Sequence, residues 1–105
     1  MKLRYTVQTL ARLDAIFLRL LEENPFAARR YRKQIGRALD RLRRFPSLGS
    51  RVPEFPKLPL RQVILDPYRL FYYVDEANDT VWIVGAWHGA QIPVAPRLPM
   101  MSTNR

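Results

Sequence analysis

Residues 60–90 read LRQVILDPYRLFYYVDEANDTVWIVGAWHGA, and this stretch decides the fold. Leu60 to Leu65, Tyr68 to Val74 and Thr80 to Trp87 are dense in Val, Ile, Leu, Tyr, Phe and Trp, the composition of strands. They are separated by Asp66-Pro67 and by Asp75-Glu76-Ala77-Asn78-Asp79, both of turn-forming character. Spacers this short join antiparallel neighbours, so the stretch predicts a three-stranded antiparallel meander. Tyr68, Tyr72 and Tyr73 stand among apolar residues, and most are expected in the core.

Upstream of the meander, Ser47 to Pro59 follows Pro46 and includes Pro53, Pro56 and Pro59, so it forms neither a helix nor a central strand. Before it the period changes to that of a helix. Ala28, Tyr31, Ile35, Ala38, Leu39 and Leu42 fall on a stripe about 100° wide. Asn24 is the expected N-cap, Pro25 the first helical residue, and Phe45-Pro46 the end. An earlier helix is predicted with Thr9 as N-cap and a stop near Glu23, its Leu10, Leu13, Ile16, Phe17, Leu20 and Leu21 falling within about 140°. Two helices joined by almost no loop fold back as a hairpin. Leu3, Tyr5 and Val7 alternate with Lys2, Arg4 and Thr6, which predicts a first strand over residues 2–7. The resulting order is strand, helix, helix, strand, strand, strand: an α+β domain whose antiparallel sheet has a helical hairpin packed on one face. That domain is expected over residues 1–92, with a Pro-rich extended or disordered tail over 93–105.

Composition narrows the chemistry. The chain has 105 residues, 18 Lys and Arg against 9 Asp and Glu, no Cys and one His. Lack of Cys excludes disulfides, thiolate nucleophiles and Cys-based zinc sites, and a single His leaves little for any other metal centre. No cofactor is expected. Thr80 to Pro96 is the longest run without Asp, Glu, Lys or Arg, but His88, Gln91 and two prolines make it a poor membrane span. Arg12 and Asp14 interrupt any signal-peptide pattern after Lys2 and Arg4, so a soluble, cytoplasmic protein is expected.

The net charge of +9 lies entirely in residues 1–52. Its densest part is the second helix, where Arg29, Arg30, Arg32, Lys33, Arg37, Arg41, Arg43 and Arg44 face Asp40 alone. Such a segment repels itself unless an acidic partner lies against it, which makes these residues the expected partner surface. Leu18 lies off the apolar stripe of the first helix and joins that expectation.

Four local patterns carry a resemblance: Asn24-Pro25-Phe26-Ala27-Ala28, Phe45-Pro46-Ser47-Leu48-Gly49, Tyr68-Arg69-Leu70-Phe71-Tyr72-Tyr73-Val74, and Val81 to Ala90 with its ending Trp87-His88-Gly89-Ala90. In this order, on these elements, the chain resembles the RelE/ParE superfamily of bacterial toxins from type II toxin–antitoxin pairs. The tight helical hairpin and the Asn-Pro start of the second helix look more ParE-like. The resemblance implies a basic toxin neutralised by an acidic cognate antitoxin, with operator DNA bound only through the antitoxin complex. ParE-like members poison DNA gyrase, whereas RelE-like members cut messenger RNA in the ribosome.

The residues bear on that choice. Metal-free RNA cleavage needs proton-transfer groups and cations at the phosphorane. Arg61 and Arg69 are guanidinium candidates and His88 is the proton-transfer candidate, and the three resemble the basic cluster of RelE-like nucleases. The second and third strands of the chain contribute only these two arginines, with Lys57 isolated in the loop, so the dense basic site of that branch is thin here. Arg69 is alternatively expected to pair with Asp66, Asp75 or Glu54, and His88 to terminate its strand. The leading expectation is a non-enzymatic gyrase poison; the rivals are a ribosome-dependent endoribonuclease and a decayed toxin that retains only antitoxin binding.

Overall fold

A computed structural model describes residues 1–98. Its elements are β1 (Lys2–Tyr5), α1 (Val7–Glu23), α2 (Pro25–Arg44), β2 (Ser50–Arg51), β3 (Arg61–Leu65), β4 (Tyr68–Asp75) and β5 (Thr80–His88), with a single 3₁₀ turn at Glu76–Asn78. The five strands form one mixed sheet in the order β1-β5-β4-β3-β2. β3, β4 and β5 are the expected antiparallel meander. β1 is an edge strand and pairs parallel with β5, in register Lys2 to Thr80 through Tyr5 to Ile83. The architecture is the expected α+β one.

The start of α1 corrects the sequence reading. Thr6, not Thr9, is the N-cap: its hydroxyl accepts the Thr9 amide at 3.2 Å and donates to the Thr9 hydroxyl at 2.7 Å. The Thr6 amide donates to the Ile83 carbonyl at 3.2 Å, which holds Thr6 extended at the end of the parallel pairing. The strand therefore stops at Tyr5, and Val7 becomes a helical residue that is 87% exposed rather than the third buried position of a strand. Both threonines are competent caps, and the long-range bond to β5 decides between them.

The helical hairpin turns on one residue. The Asn24 amide closes α1 by donating to the Leu20 carbonyl at 2.7 Å, while its side-chain oxygen accepts the Phe26 and Ala27 amides at 3.1 and 3.2 Å. Asn24 is thus C-cap of one helix and N-cap of the next, and Pro25 follows where a missing N–H costs nothing.

Two cores flank the sheet. On the helical side, Leu39 and Leu42 of α2 meet Leu70, Tyr72, Val81, Ile83 and Ala86. α1 is less well covered than its stripe suggests: Leu13, Ile16, Phe17 and Leu20 are half-buried, and Leu10 and Leu21 are exposed. On the opposite face, Phe71, Tyr73 and Val84 are covered by Val52 of the Pro-rich loop, by Leu60 just before β3 and by Leu98 of the tail. That loop is a second layer of the fold, and the described part of the tail, without helix or strand, is anchored by a buried side chain. A register shift in the β4–β5 pairing, Phe71 opposite Gly85 and Tyr72 opposite Ile83, leaves Val84 as the extra residue of a bulge. Across it Val81, Ile83 and Ala86 all reach the helical core, while Trp82, Val84 and Trp87 reach the other.

Candidate functional site

α2 sorts its residues as the periodicity requires. Ala28, Tyr31, Leu39 and Leu42 are buried, and all eight cations from Arg29 to Arg44 are exposed. Asp40 is the acid among them and pairs with Arg44 at 3.2 Å. Arg41, Arg43 and Arg44 occupy the last turn, where the helix dipole favours positive charge. Aromatic rings help hold the guanidiniums apart: Arg29 lies 5.4 Å from the centre of Phe26, Arg32 5.0 Å from Phe17, and Arg44 5.9 Å from Phe45. The Arg32 contact ties the basic face to α1, which itself exposes Leu10, Leu18 and Leu21. The hairpin therefore exposes both cations and apolar side chains.

Arg61, Arg69 and His88 are not gathered in one place. Arg61 pairs in register with Tyr72, on the helical face, and donates to the Gly49 carbonyl at 2.6 Å. Arg69 projects from the opposite face, over the Phe71 ring at 5.0 Å. There it grips both carboxylate oxygens of Glu54 at 2.8 Å and donates to Gln62 at 2.9 Å. Those hydrogen bonds hold the Glu54 carboxyl well below its ordinary value, at about 2. Of the partners considered for Arg69, Glu54 is the one used. His88 returns to the helical face beside Tyr68, with ring centres 5.7 Å apart and nearly perpendicular planes.

His88 instead belongs to a different set. A cleft of about 530 Å³ opens between α1 and the end of β5, lined by Arg12, Arg19, Tyr68, His88 and Gln91 with Ala15, Ile16 and Ala86 between them. Arg12 is clamped over the Trp87 ring at 4.3 Å and donates to the Ala86 carbonyl at 3.4 Å. Arg19 donates to the Tyr68 hydroxyl at 3.3 Å. Sequence reading passed over Arg12 and Arg19. Their one signal is a spacing of seven residues, which puts both on one side of α1, but their common facing depends on where α1 lies against β5.

Among the described residues no cluster of three or more His, Cys, Asp or Glu could hold a metal ion, and no helix is long and apolar enough to cross a membrane. Comparison with family models matches residues 3–93 to the ParE toxin of the type II toxin–antitoxin system parDE. The chain belongs to the ParE toxin family. A search of curated proteins returns no match. Within the RelE/ParE superfamily this is the ParE-like branch, and membership makes the chain the toxin half of a type II pair, with an antitoxin as its partner. The match ends near the start of the Pro-rich tail, so Leu98 and its contribution to the second core lie outside it.

Proposed function

We propose that this ParE-family toxin arrests growth by binding and poisoning DNA gyrase in the cytoplasm, and that an acidic antitoxin neutralises it by covering the helical hairpin. The observation that carries the reading is the disposition of the nuclease candidates. Arg61 and Arg69 face opposite sides of the sheet, and Arg69 is engaged by Glu54. A phosphorane needs its cations and proton-transfer groups within hydrogen-bond reach of the same few atoms. That requirement favours binding over RNA cleavage as the toxic act. The exposed cations of α2, with Leu18 nearby on α1, supply the surface for the antitoxin. An antitoxin segment that orders on binding gains most where charge and apolar area lie together.

The test is brief induction without antitoxin, reading plasmid topology and double-strand breaks beside the 5′ ends of messenger RNA. Breaks and altered supercoiling with intact message are expected. New ribosome-dependent message ends with normal supercoiling would replace this reading by the nuclease. Normal growth at a confirmed folded concentration would indicate a decayed toxin.

A further inference from the structure

We propose that the cleft between α1 and the end of β5 binds the phosphodiester backbone of a nucleic acid, through Arg12 and Arg19 with Tyr68 and His88. The contact is direct, made by the toxin itself, and is independent of how the toxin acts on its target.

The argument starts from the chain geometry. β1 pairs with β5 only as far as Ile83, then turns into α1, so β5 runs on past its neighbour to His88. α1 fills part of that vacancy and brings one face of its middle turns to the β5 edge. Arg12 and Arg19 are separated by about 10 Å along the helix axis, roughly three nucleotide steps along one strand. Among the described residues neither arginine pairs with a carboxylate, and no Asp or Glu lines the cleft. A second cleft, continuous with the first through Arg12, Ala15 and Ala86, adds Arg97 and again no acid.

The donors are positioned before any ligand arrives. Arg12 stacks on Trp87 and donates to the Ala86 carbonyl, and Arg19 donates to the Tyr68 hydroxyl, so each guanidinium has a partner on the sheet while most of its N–H groups stay available. The Tyr68 hydroxyl accepts from Arg19 and keeps its own proton to donate. The Ala90 amide donates to His88 Nδ1 at 3.1 Å, which puts the proton of the neutral ring on Nε2 and makes that nitrogen a donor. The Gln91 side chain accepts the His88 amide at 2.7 Å and fixes the ring's backbone. Four donors and no acceptor of matching strength is a site for an anion with several oxygens.

A phosphate backbone fits this better than an acidic peptide that folds on binding. Such a peptide needs apolar area to offset its ordering, and the exposed leucines, Leu10, Leu18 and Leu21 of α1 and Leu48 beyond α2, do not line this cleft. Between its cations the cleft offers mainly Ala15, Ile16 and Ala86. Ionic contact with little buried area is the demand of a phosphate backbone.

The experiment is fluorescence anisotropy of the full chain with a labelled single-stranded oligonucleotide of about twelve nucleotides, across a salt series. The double variant R12Q/R19Q is compared with K2Q/K57Q, which removes the same charge elsewhere, after thermal melting confirms that both fold. R12Q/R19Q is expected to weaken binding about tenfold and to flatten the log–log salt slope by about 1.4, two contacts at roughly 0.7 each. K2Q/K57Q should stay within about twofold, as its charges lie outside the contact. Since His88 is the chain's one histidine, its ring resonances are identified without assignment and should move on titration with the oligonucleotide. Equal weakening by both variants, an unmoved His88, or absence of binding at low salt overturns the proposal. So does competition by poly-glutamate at parity with the oligonucleotide, which would reassign the cleft to an acidic peptide. If R12Q/R19Q proves unfolded, R19Q alone carries the same comparison.

Discussion

The Tyr72 hydroxyl accepts the Gly49 amide at 2.8 Å, and the same oxygen donates to the Pro46 carbonyl at 2.7 Å. One fully buried phenol thus pins both ends of the turn that leaves α2 to the central strand β4. Replacing Tyr72 with Phe keeps the ring and strands two backbone groups. A loss of about 1–3 kcal/mol is expected, read as a lower urea midpoint with unchanged slope. A Cβ on Gly49 would run into the Gln62 carbonyl and come within 2.7 Å of the Tyr72 ring, so Gly49→Ala should cost at least as much.

Glu54 gives the stability a specific acid dependence. Its carboxyl is held down to about 2 by hydrogen bonds from Arg69, below its unfolded value of about 4.3. A depressed carboxyl stabilises the fold above its unfolded value, and that stabilisation disappears as pH falls toward the folded one. Glu54→Gln should therefore be less stable than the parent at pH 7 by about 1 kcal/mol or less, because the pair is partly solvated. The gap should close near pH 2, as measured by urea midpoints at both pH values.

Asn24 serves two helices, so its replacement tests both at once. Asn24→Ala keeps the backbone bond to Leu20 and removes the acceptor for the Phe26 and Ala27 amides. About 1 kcal/mol should be lost, or roughly 4–8 °C of melting temperature, and Asn24→Asp should restore most of it. Circular dichroism melts of the three proteins decide the matter.

Tyr31 should ionise late. Burial, then Tyr68 and Asp14, push it up to about 12. A raised value means that its contribution to stability is intact below about pH 10 and is lost as pH climbs toward 12. An ultraviolet titration should show a late tyrosinate step that is missing in Tyr31→Phe.

Much of this molecule is legible in its sequence because its signals are local. Period-two runs with two- and five-residue spacers specify the meander, and Asn24-Pro25 specifies the hairpin. What escapes is set by distant pairing. The parallel seat of β1 against β5 depends on residues nearly eighty positions apart, and it also decides that Thr6 rather than Thr9 caps α1. Much of the cover on the second face comes from a Pro-rich loop whose Val52, Phe55 and Leu58 have no periodicity to announce them. Arg61 and Arg69 sit on the two arms of one hairpin, yet the pairing of Leu65 with Tyr68 sends them to opposite faces. His88 has its place as strand end, but its companions Arg12 and Arg19 come from a helix at the other end of the chain.

The parallel pairing of β1 has a bearing on synthesis. β1 is an outer strand of the sheet, and its partner β5 is made nearly eighty residues after it. Until Ile83 has emerged, Leu3 and Tyr5 have no β5 beside them, and the helical hairpin has only β3 and β4 to rest on. Translation at about 5–20 residues per second leaves that nascent chain incomplete for several seconds. During that interval the cleft formed by α1 with β5 does not yet exist, while α2 has already been synthesised. An antitoxin that recognises α2 can engage the toxin before the toxin is finished.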